Sequence, residues 1–305
     1  MFANRSIPLA FSGLIDSLQE RWRPLRAKLF PQQILLELSD EKVSGQIFNA
    51  GKPAPLSLEA PLPSLTLRDG MPLEKEPLGD LIGDLLVNEN LIDACVLAAL
   101  PPTAVEWRVV VWPFDEMPED PVAALRQLDP PLRLSTSLQA CSIDLQPLPG
   151  QPAQMLLGAA PRTLVDEWID VFNIAGVQLE RLAPAQSCQL VALTPLLRKA
   201  PPGQLIALLD PQPGDCRLVL FRSGVPVFER VLAGETDKLV PQLLRCLSFY
   251  RRQDPEAREL RLVLARPMRA QPTLEDVLGL KAEVLDAEPF ASLVLQGLAA
   301  GEWTP

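Results

Sequence analysis

Residues 204–232, QLIALLDPQPGDCRLVLFRSGVPVFERVL, predict three consecutive antiparallel strands. The apolar runs are separated by residues 211–215, which include two prolines and a glycine, and by the dipeptide Ser223-Gly224. Both separators have the composition of turns, so the three runs predict an antiparallel meander. A long helix is predicted at 235–252, directly after the meander. This half of the chain therefore has the strand and helix content of an α/β lobe.

The first half of the chain has a similar order of elements. Residues 34–38 and 43–48 are strand-like and flank a polar turn at 39–42, so they predict a hairpin. A helix at 78–90 and a nearly continuous apolar run at 92–100, as expected of a buried strand, come later. Because both halves begin with an antiparallel hairpin that helices follow, the sequence favours a duplicated fold.

The character of the sequence changes in two places. Residues 50–79 are rich in proline, and we expect them to meander. Pro101-Pro102 ends the buried run, and residues 103–160 then predict short strands and a short acidic helix, as in a small α+β module. Pro201-Pro202-Gly203 is the best candidate linker. We therefore expect a basic amphipathic helix over 1–30, a first lobe over 31–100 and 161–200, an inserted α+β subdomain over 101–160, and a second lobe over 201–305.

The composition restricts the chemistry open to this chain. It has 305 residues, a formal net charge of −10 and no histidine, which excludes histidine-based acid–base catalysis and histidine-ligated metal sites. No strong basic patch interrupts the acidic charge, so nucleic-acid binding is disfavoured. The five cysteines are widely spaced and form no C-x-x-C pair, which indicates reduced, buried thiols and a cytosolic compartment.

The N-terminal segment differs from the rest in charge. Residues 1–30 carry a net charge of +3, and apolar residues at three- and four-residue spacing predict an amphipathic helix over 11–29. Two interpretations remain open: a helix docked on the body of the protein, or a contact with a membrane surface through Trp22 and the basic residues. No apolar window is long enough to span a membrane and no signal-peptide pattern is present, so we expect a cytoplasmic protein.

Several stretches together resemble the PilM family of type IV pilus assembly proteins, a branch of the actin-like ATPase superfamily. They are 100–105 (LPPTAV), 159–177 (AAPRTLVDEWIDVFNIAGV), 220–228 (LFRSGVPVF), 245–251 (RCLSFYR) and 289–291 (PFA). The resemblance implies a bilobed actin-like α/β fold of the duplicated ribonuclease H-like type, with a small α+β insert in lobe 1. Where the family carries a further subdomain, this chain has only about 17 residues, 232–248, so lobe 2 is expected to be reduced. The cytoplasmic domain of the type II secretion L protein is the relative most easily confused with this pattern.

The resemblance also indicates where an ATP site would lie. Actin-like ATPases hold phosphates with glycine-containing turns, because glycine allows backbone N–H groups to approach the oxygens. The turn at 37–42 has no glycine and three acidic residues, and the turn after strand 260–264 reads Ala265-Arg266-Pro267. The degenerate candidate at 210–215 keeps Asp210, Gly214 and Asp215, but its two prolines remove N–H donors. Asp210 and Asp215 also fit simple turn-forming roles. We expect neither ATP nor Mg²⁺ as cofactor and no catalytic residue. Separately, we interpret the acidic cluster of Asp115, Glu116, Glu119 and Asp120 as a solvated surface rather than a metal site.

The preferred functional prediction is a non-catalytic scaffold. PilM-like proteins bind the cytoplasmic N-terminal peptide of a PilN-like inner-membrane protein and connect it to the pilus platform and motor. The resemblance places the peptide in a groove between lobe 1 and its insert, and the candidate partner-binding residues here are Leu100, Val105, Trp107, Pro161, Arg162 and Val165. Trp107 and Trp112 are an odd number of positions apart on one predicted strand, so they should face opposite sides. The alternative is an ATP-binding, actin-like regulatory ATPase of pilus, competence or type II secretion machinery.

Overall fold

The computed structural model describes most of the chain as two five-stranded sheets with helices, one three-stranded sheet and one two-stranded hairpin. The described residues are 32–49, 52–91, 93–114, 120–148, 151–257 and 259–301. The predicted helix at 11–29 and the acidic residues Asp115, Glu116 and Glu119 lie outside them.

Lobe 1 is built on a sheet with the strand order β3-β2-β1-β6-β10. β1 pairs antiparallel with β2 and parallel with β6, and β6 pairs parallel with β10. Every side chain of the central strand β6 is buried, as expected of a parallel strand covered on both faces. The five strands are β1 (Gln33–Leu38), β2 (Lys42–Asn49), β3 (Lys52–Pro61), β6 (Cys95–Leu100) and β10 (Gln178–Pro184). A short hairpin of β4 (Leu67–Arg68) and β5 (Met71–Pro72) precedes helix α1 (Lys75–Asn88).

The prolines of residues 50–79 do not prevent a strand. β3 has ten residues and carries Pro53, Pro55 and Pro61. It is an outer strand that pairs only with β2 in its sheet, and proline, which lacks the N–H donor, is tolerated on a sheet edge. The proline content of this region is therefore that of an edge strand.

The insert forms a sheet of its own, with the order β7-β9-β8. Its elements are a 3₁₀ turn (Pro102–Ala104), β7 (Glu106–Val111), α2 (Pro121–Leu125), a second 3₁₀ turn (Leu138–Ala140), β8 (Cys141–Leu148) and β9 (Gln151–Pro161). Trp112 and Leu157 lie in a separate small core between this sheet and α2. The next helix, α3 (Arg162–Ile174), returns the chain to lobe 1, where it packs with α1 on one face of the sheet.

Lobe 2 repeats the topology of lobe 1. Its strand order is β13-β12-β11-β14-β15, with the first three strands antiparallel and the last two parallel to β11. The elements are β11 (Gln204–Pro211), β12 (Asp215–Arg222), β13 (Val225–Ala233), α5 (Thr236–Gln253), β14 (Glu259–Leu264), α6 (Gln271–Leu278) and β15 (Ala282–Val284). The meander and the helix that follows it are confirmed. The repeated order of three strands, helix, strand, helix and strand is that of a duplicated fold.

Two helices pack against each other between the sheets. α4 (Ala185–Arg198) follows the last strand of lobe 1, and α7 (Leu293–Ala300) follows the last strand of lobe 2. Val294, Leu295 and Leu298 of α7 share a core with Leu35 and Leu97 of the lobe 1 sheet. The end of the described chain, which the sequence places in lobe 2 as part of 201–305, thus packs on lobe 1.

The cysteines agree with the expectation of reduced, buried thiols. All five are free and buried in the structure. Burial raises the pKa of Cys188 and of Cys216 to about 12, so both remain protonated thiols at neutral pH. No helix in the described part of the chain has the length and hydropathy needed to cross a bilayer.

Candidate partner-binding groove

A groove of about 440 Å³ separates lobe 1 from the insert. Lobe 1 contributes the β4–β5 hairpin and the start of α3, and the insert contributes its first 3₁₀ turn, residues 134–136 and the ends of its strands. Leu73, at the end of the hairpin, is 46% exposed. The apolar lining residues are Met71, Leu73, Ala104, Val105, Leu134, Ala159, Pro161 and Leu164.

The hairpin that forms one wall is fixed by its turn. Asp69 and Gly70 have φ values of 50° and 76°, and positive φ at both central residues is the requirement of a type I′ turn. The indole N–H of the buried Trp168 donates to the Gly70 carbonyl at 2.9 Å, and the Gly70 N–H donates to Asp40 at 3.2 Å. A Cβ on Gly70 would lie 2.6 Å from the Cβ of Ala104, so only glycine lets this turn touch the opposite wall.

A carboxylate lies in the groove on the insert side. Glu106 accepts hydrogen bonds from the backbone N–H and the hydroxyl of Ser135, both at 2.9 Å, and from Arg108 Nε at 2.9 Å. Burial by itself raises the pKa of Glu106, but the bonds from Ser135 and Arg108 outweigh it and hold the pKa below its usual value. Glu106 is therefore ionised at neutral pH and anchors the loop at 134–136.

The structure brings two of the six predicted partner-binding residues into this lining. Val105 and Pro161 line the groove, although Val105 is only 6% exposed and also packs in the lobe 1 core. Leu100 is 3% exposed and lies in the same core, and Val165 is half-buried against it. Neither lines the groove. Arg162 is exposed and its Nε donates to the Cys141 carbonyl at 3.1 Å, which connects α3 to the insert.

Trp107 faces a different part of the molecule. It lines a second groove, of about 880 Å³, between the insert and lobe 2. Its indole N–H donates to Glu229, and the Arg217 guanidinium carbon lies 6.0 Å from the ring centroid. Trp112 is 4% exposed and lies in the core of the insert, so the two tryptophans face opposite sides, as their spacing predicts. Trp107 joins the insert to lobe 2 and does not line the groove next to lobe 1.

Sequence patterns did not reveal the hairpin wall, which includes Met71 and Leu73. One local signal could have found it, because Asp69-Gly70 is a dipeptide strongly preferred in two-residue hairpin turns. The loop at 134–136 has no such signal. Its position depends on the hydrogen bonds between Ser135 and Glu106, which are 29 residues apart.

The turns at 37–42, 210–215 and 265–267, which the sequence singles out as candidate nucleotide turns, lie close together. Asp210 is 2% exposed, its Oδ2 accepts from Gln189 Nε2 at 2.6 Å, and Arg266 Nη2 lies 3.6 Å from its Oδ1. Gly214 has a φ of 79° in the turn that follows. Burial raises the pKa of Asp215, and the charges of Asp40, Asp210 and Glu41 raise it further. The cleft thus contains clustered carboxylates, and the arginine of the third turn faces the aspartate of the second.

The two lobes also meet through reciprocal contacts. Asp210, in the first strand of lobe 2, is held by Gln189 of α4, which follows the last strand of lobe 1. Glu37, in the first strand of lobe 1, accepts from Ser292, the N-cap residue of α7. Burial raises the pKa of Glu37 above its usual value. Among the residues that the structure describes, no three His, Cys, Asp or Glu side chains are grouped so as to hold a metal ion.

Comparison with known proteins identifies the fold. No protein-family model matches the sequence, and no curated protein matches it either. Among solved structures, a PilM–PilN type IV pilus biogenesis complex is 20% identical, covers 88% of this chain and 97% of that chain, and has a TM-score of 0.66. A Bacteroides thetaiotaomicron protein of unknown function with an actin-like ATPase fold is 10% identical, covers 89% and 96%, and has a TM-score of 0.53.

A third solved structure is also similar in fold. The cytoplasmic domain of EpsL, an inner-membrane component of the type II secretion system of Vibrio cholerae, is 11% identical, covers 88% of this chain and 93% of that chain, and has a TM-score of 0.50. The chain therefore has the actin-like fold, and the resemblance to PilM proteins is confirmed at the level of the fold.

Proposed function

We propose that this protein is a cytoplasmic, non-catalytic scaffold of type IV pilus assembly, which binds the N-terminal cytoplasmic peptide of a PilN-like inner-membrane protein. The observation that carries the proposal is the apolar groove between lobe 1 and the insert. It supports the proposal together with the likeness of nearly the whole chain to the PilM–PilN complex.

The groove has the properties that an extended aliphatic peptide requires. Its lining is mainly apolar, and the exposed Leu73 offers a contact on the lobe 1 side. β7 and β8 are the outer strands of the insert sheet, so each has one edge that pairs with no other strand among the described residues, which is the requirement for an added strand. A disordered peptide loses conformational entropy when it binds, so we expect a modest affinity.

The absence of catalysis is also a proposal, and the cleft geometry supports it. Asp210, which would organise Mg²⁺ in an actin-like ATPase, is held by Gln189 and faces Arg266. Asp40, Glu41 and Asp215 add negative charge where a triphosphate would lie. The alternative of an ATP-regulated actin-like protein requires phosphates to displace or neutralise these contacts.

The remaining parts of the proposal concern location and further partners. We place the protein at the cytoplasmic side of the inner membrane because its proposed partner is a membrane protein. Other pilus platform or motor proteins complete the set of proposed partners. A membrane contact through residues 11–29 is part of the same proposal and lies outside the described residues.

A binding experiment with a groove variant tests the proposal. Fluorescence anisotropy of a labelled N-terminal peptide from a PilN-like protein should show saturable binding, and Leu73→Asp should weaken it at least about tenfold, since it places a charge in an apolar groove. Leu73 is a better test position than Val105 or Leu100, because a charge at either buried residue would unfold lobe 1.

Val87→Asp is the matched control. Val87 is 52% exposed on α1 of the same lobe and does not line the groove. We expect unchanged binding for this variant and unchanged circular dichroism for both. Equal affinity of the wild type and Leu73→Asp would contradict the groove, and absence of binding to the wild type would contradict the proposed partner.

A further inference from the structure

A second binding surface lies on lobe 2, between β13 and α5. A pocket of about 660 Å³ is formed there by three aromatic or aliphatic side chains and three arginines. We call it the arginine–aromatic pocket; its defining residues are Phe228, Arg230, Leu244, Arg245, Phe249 and Arg252. We propose that this pocket binds an acidic segment of a partner protein that carries an aromatic or aliphatic anchor.

The apolar part of the pocket is partly exposed. Phe249 is 45% exposed and Leu244 is 37% exposed, although both lie on a helix whose other face is buried in the lobe 2 core. The ring centroids of Phe249 and Phe228 are 6.3 Å apart, so the two rings form a joint surface. Burying such aromatic side chains is a major source of binding energy in protein interfaces.

The arginines around this surface have no acidic partner among the residues that the structure describes. Arg230, Arg245 and Arg252 are all exposed, and the Nε of Arg245 only donates to the Pro241 carbonyl of its own helix, at 3.3 Å. Three other arginines of lobe 2 have acidic partners: Arg217 with Glu229, Arg222 with Asp254, and Arg261 with Glu283. No acidic residue of the described chain lines the pocket.

The topology leaves this side of the lobe open. β13 is an outer strand of its sheet. It ends at Ala233 and α5 begins at Thr236, so the connection between them is too short to cover the pocket. A partner segment can therefore contact both the strand and the helix.

Charge and shape favour an acidic peptide as the ligand of the arginine–aromatic pocket. The basic segment 1–31 of this chain would be repelled by three unpaired arginines. A nucleic acid would meet a chain of net charge −10, which opposes its approach. A flat bilayer surface cannot fill a concave pocket. A peptide carries few charges, and its carboxylates can form bidentate pairs with arginines while an apolar side chain covers Phe249.

The experiment uses the full chain and defined probes. A fluorescein-labelled peptide of alternating glutamate and phenylalanine should bind the wild type, and raising the salt concentration should weaken binding because exposed charges are screened. The charge reversals Arg245→Glu and Arg252→Glu, combined, should reduce the affinity at least about tenfold, and Phe249→Ser should do the same by removing the apolar contact. All three positions are exposed, so the variants should fold as the wild type does.

Two controls distinguish binding in this pocket from non-specific charge attraction. Arg133→Glu, a charge reversal at an exposed residue of the insert, should leave the affinity unchanged. A peptide of alternating lysine and phenylalanine should not bind. The proposal is overturned if the acidic peptide does not bind, or if Arg133→Glu weakens peptide binding as much as the pocket variants do. It is also overturned if an oligothymidine strand or phosphatidylserine vesicles bind through the same arginines more tightly than the peptide does. Its failure would leave the groove next to the insert unaffected, because the two surfaces lie on different lobes.

Discussion

The backbone carbonyl oxygen of Cys188 occupies the space where any side chain on Gly297 would begin. A Cβ built on Gly297 would lie 1.8 Å from that oxygen, so α7 and α4 are in backbone contact at this point. The two helices follow the last strands of the two lobes, and their close approach is part of what holds the lobes together.

The variant Gly297→Ala should therefore destabilise the protein. The added methyl group cannot be accommodated unless the helices move apart, and overpacking of this kind costs about 1–3 kcal/mol. Urea unfolding followed by circular dichroism measures the loss. Gly158→Ala is the control, because the nearest atom to its added Cβ would be 3.9 Å away. Replacing glycine by alanine restricts the unfolded chain and by itself would stabilise the protein. An equal loss of stability in both variants would therefore contradict the assigned role of the contact between Gly297 and Cys188.

Glu37 should make stability depend on pH. Its pKa in the folded protein is raised above the ordinary 4.5, chiefly by burial, so the folded state binds the proton more tightly than the unfolded state does. The stability that this carboxyl contributes is complete below its unfolded pKa and is lost as the pH rises through the folded pKa. Glu37→Gln, which keeps an oxygen for Ser292, should be more stable than the wild type at neutral pH and equal to it in acid.

Urea unfolding of the wild type and Glu37→Gln, from below pH 4.5 to neutral pH, measures how the difference in stability between them changes with pH. A difference between Glu37→Gln and the wild type that is the same at all pH values would contradict the assigned titration.

The pair of Arg217 and Glu229 should be energetically important. Arg217 is 4% exposed, and its Nε lies 2.7 Å from Glu229, which also accepts from Trp107 of the insert. Glu229→Ala would leave the arginine buried without an acid, which costs about 3 kcal/mol in comparable sites. Thermal unfolding should show this loss.

An exposed pair provides the comparison. Arg261 and Glu283 lie at 32% and 44% side-chain exposure, and Glu283→Ala should cost less than about 1 kcal/mol. If the two variants were equally stable, the contact between the insert and lobe 2 would contribute little.

Mg-ATP should not stabilise the protein. A ligand at a hundred times its dissociation constant would add about 2.7 kcal/mol to the free energy of unfolding. Differential scanning fluorimetry with millimolar Mg-ATP should show an unchanged melting temperature. An increase of several degrees that disappears in Asp210→Asn would support the ATP-binding alternative instead.

The sequence by itself determined the duplication and the order of elements outside residues 50–79, where the strands β3, β4 and β5 were missed. Local patterns were sufficient for this: apolar runs between turn-forming residues predicted β11, β12 and β13, and Pro101-Pro102 marked the start of the insert. The turns at 39–41, 212–214 and 265–267 each follow a strand that is evident from its own composition.

Only the tertiary structure decided which residues meet. Leu100 and Val105 belong to one short stretch and both pack in the lobe 1 core, but only Val105 also lines the groove, because the 3₁₀ turn at Pro102–Ala104 separates it from the end of β6. The groove wall at Leu73, the contact of Trp107 with lobe 2 and the return of α7 to lobe 1 all join residues far apart in the chain. Sequence periodicity reports whether a face is buried, but the partner of that face is set by long-range packing, which no local pattern records.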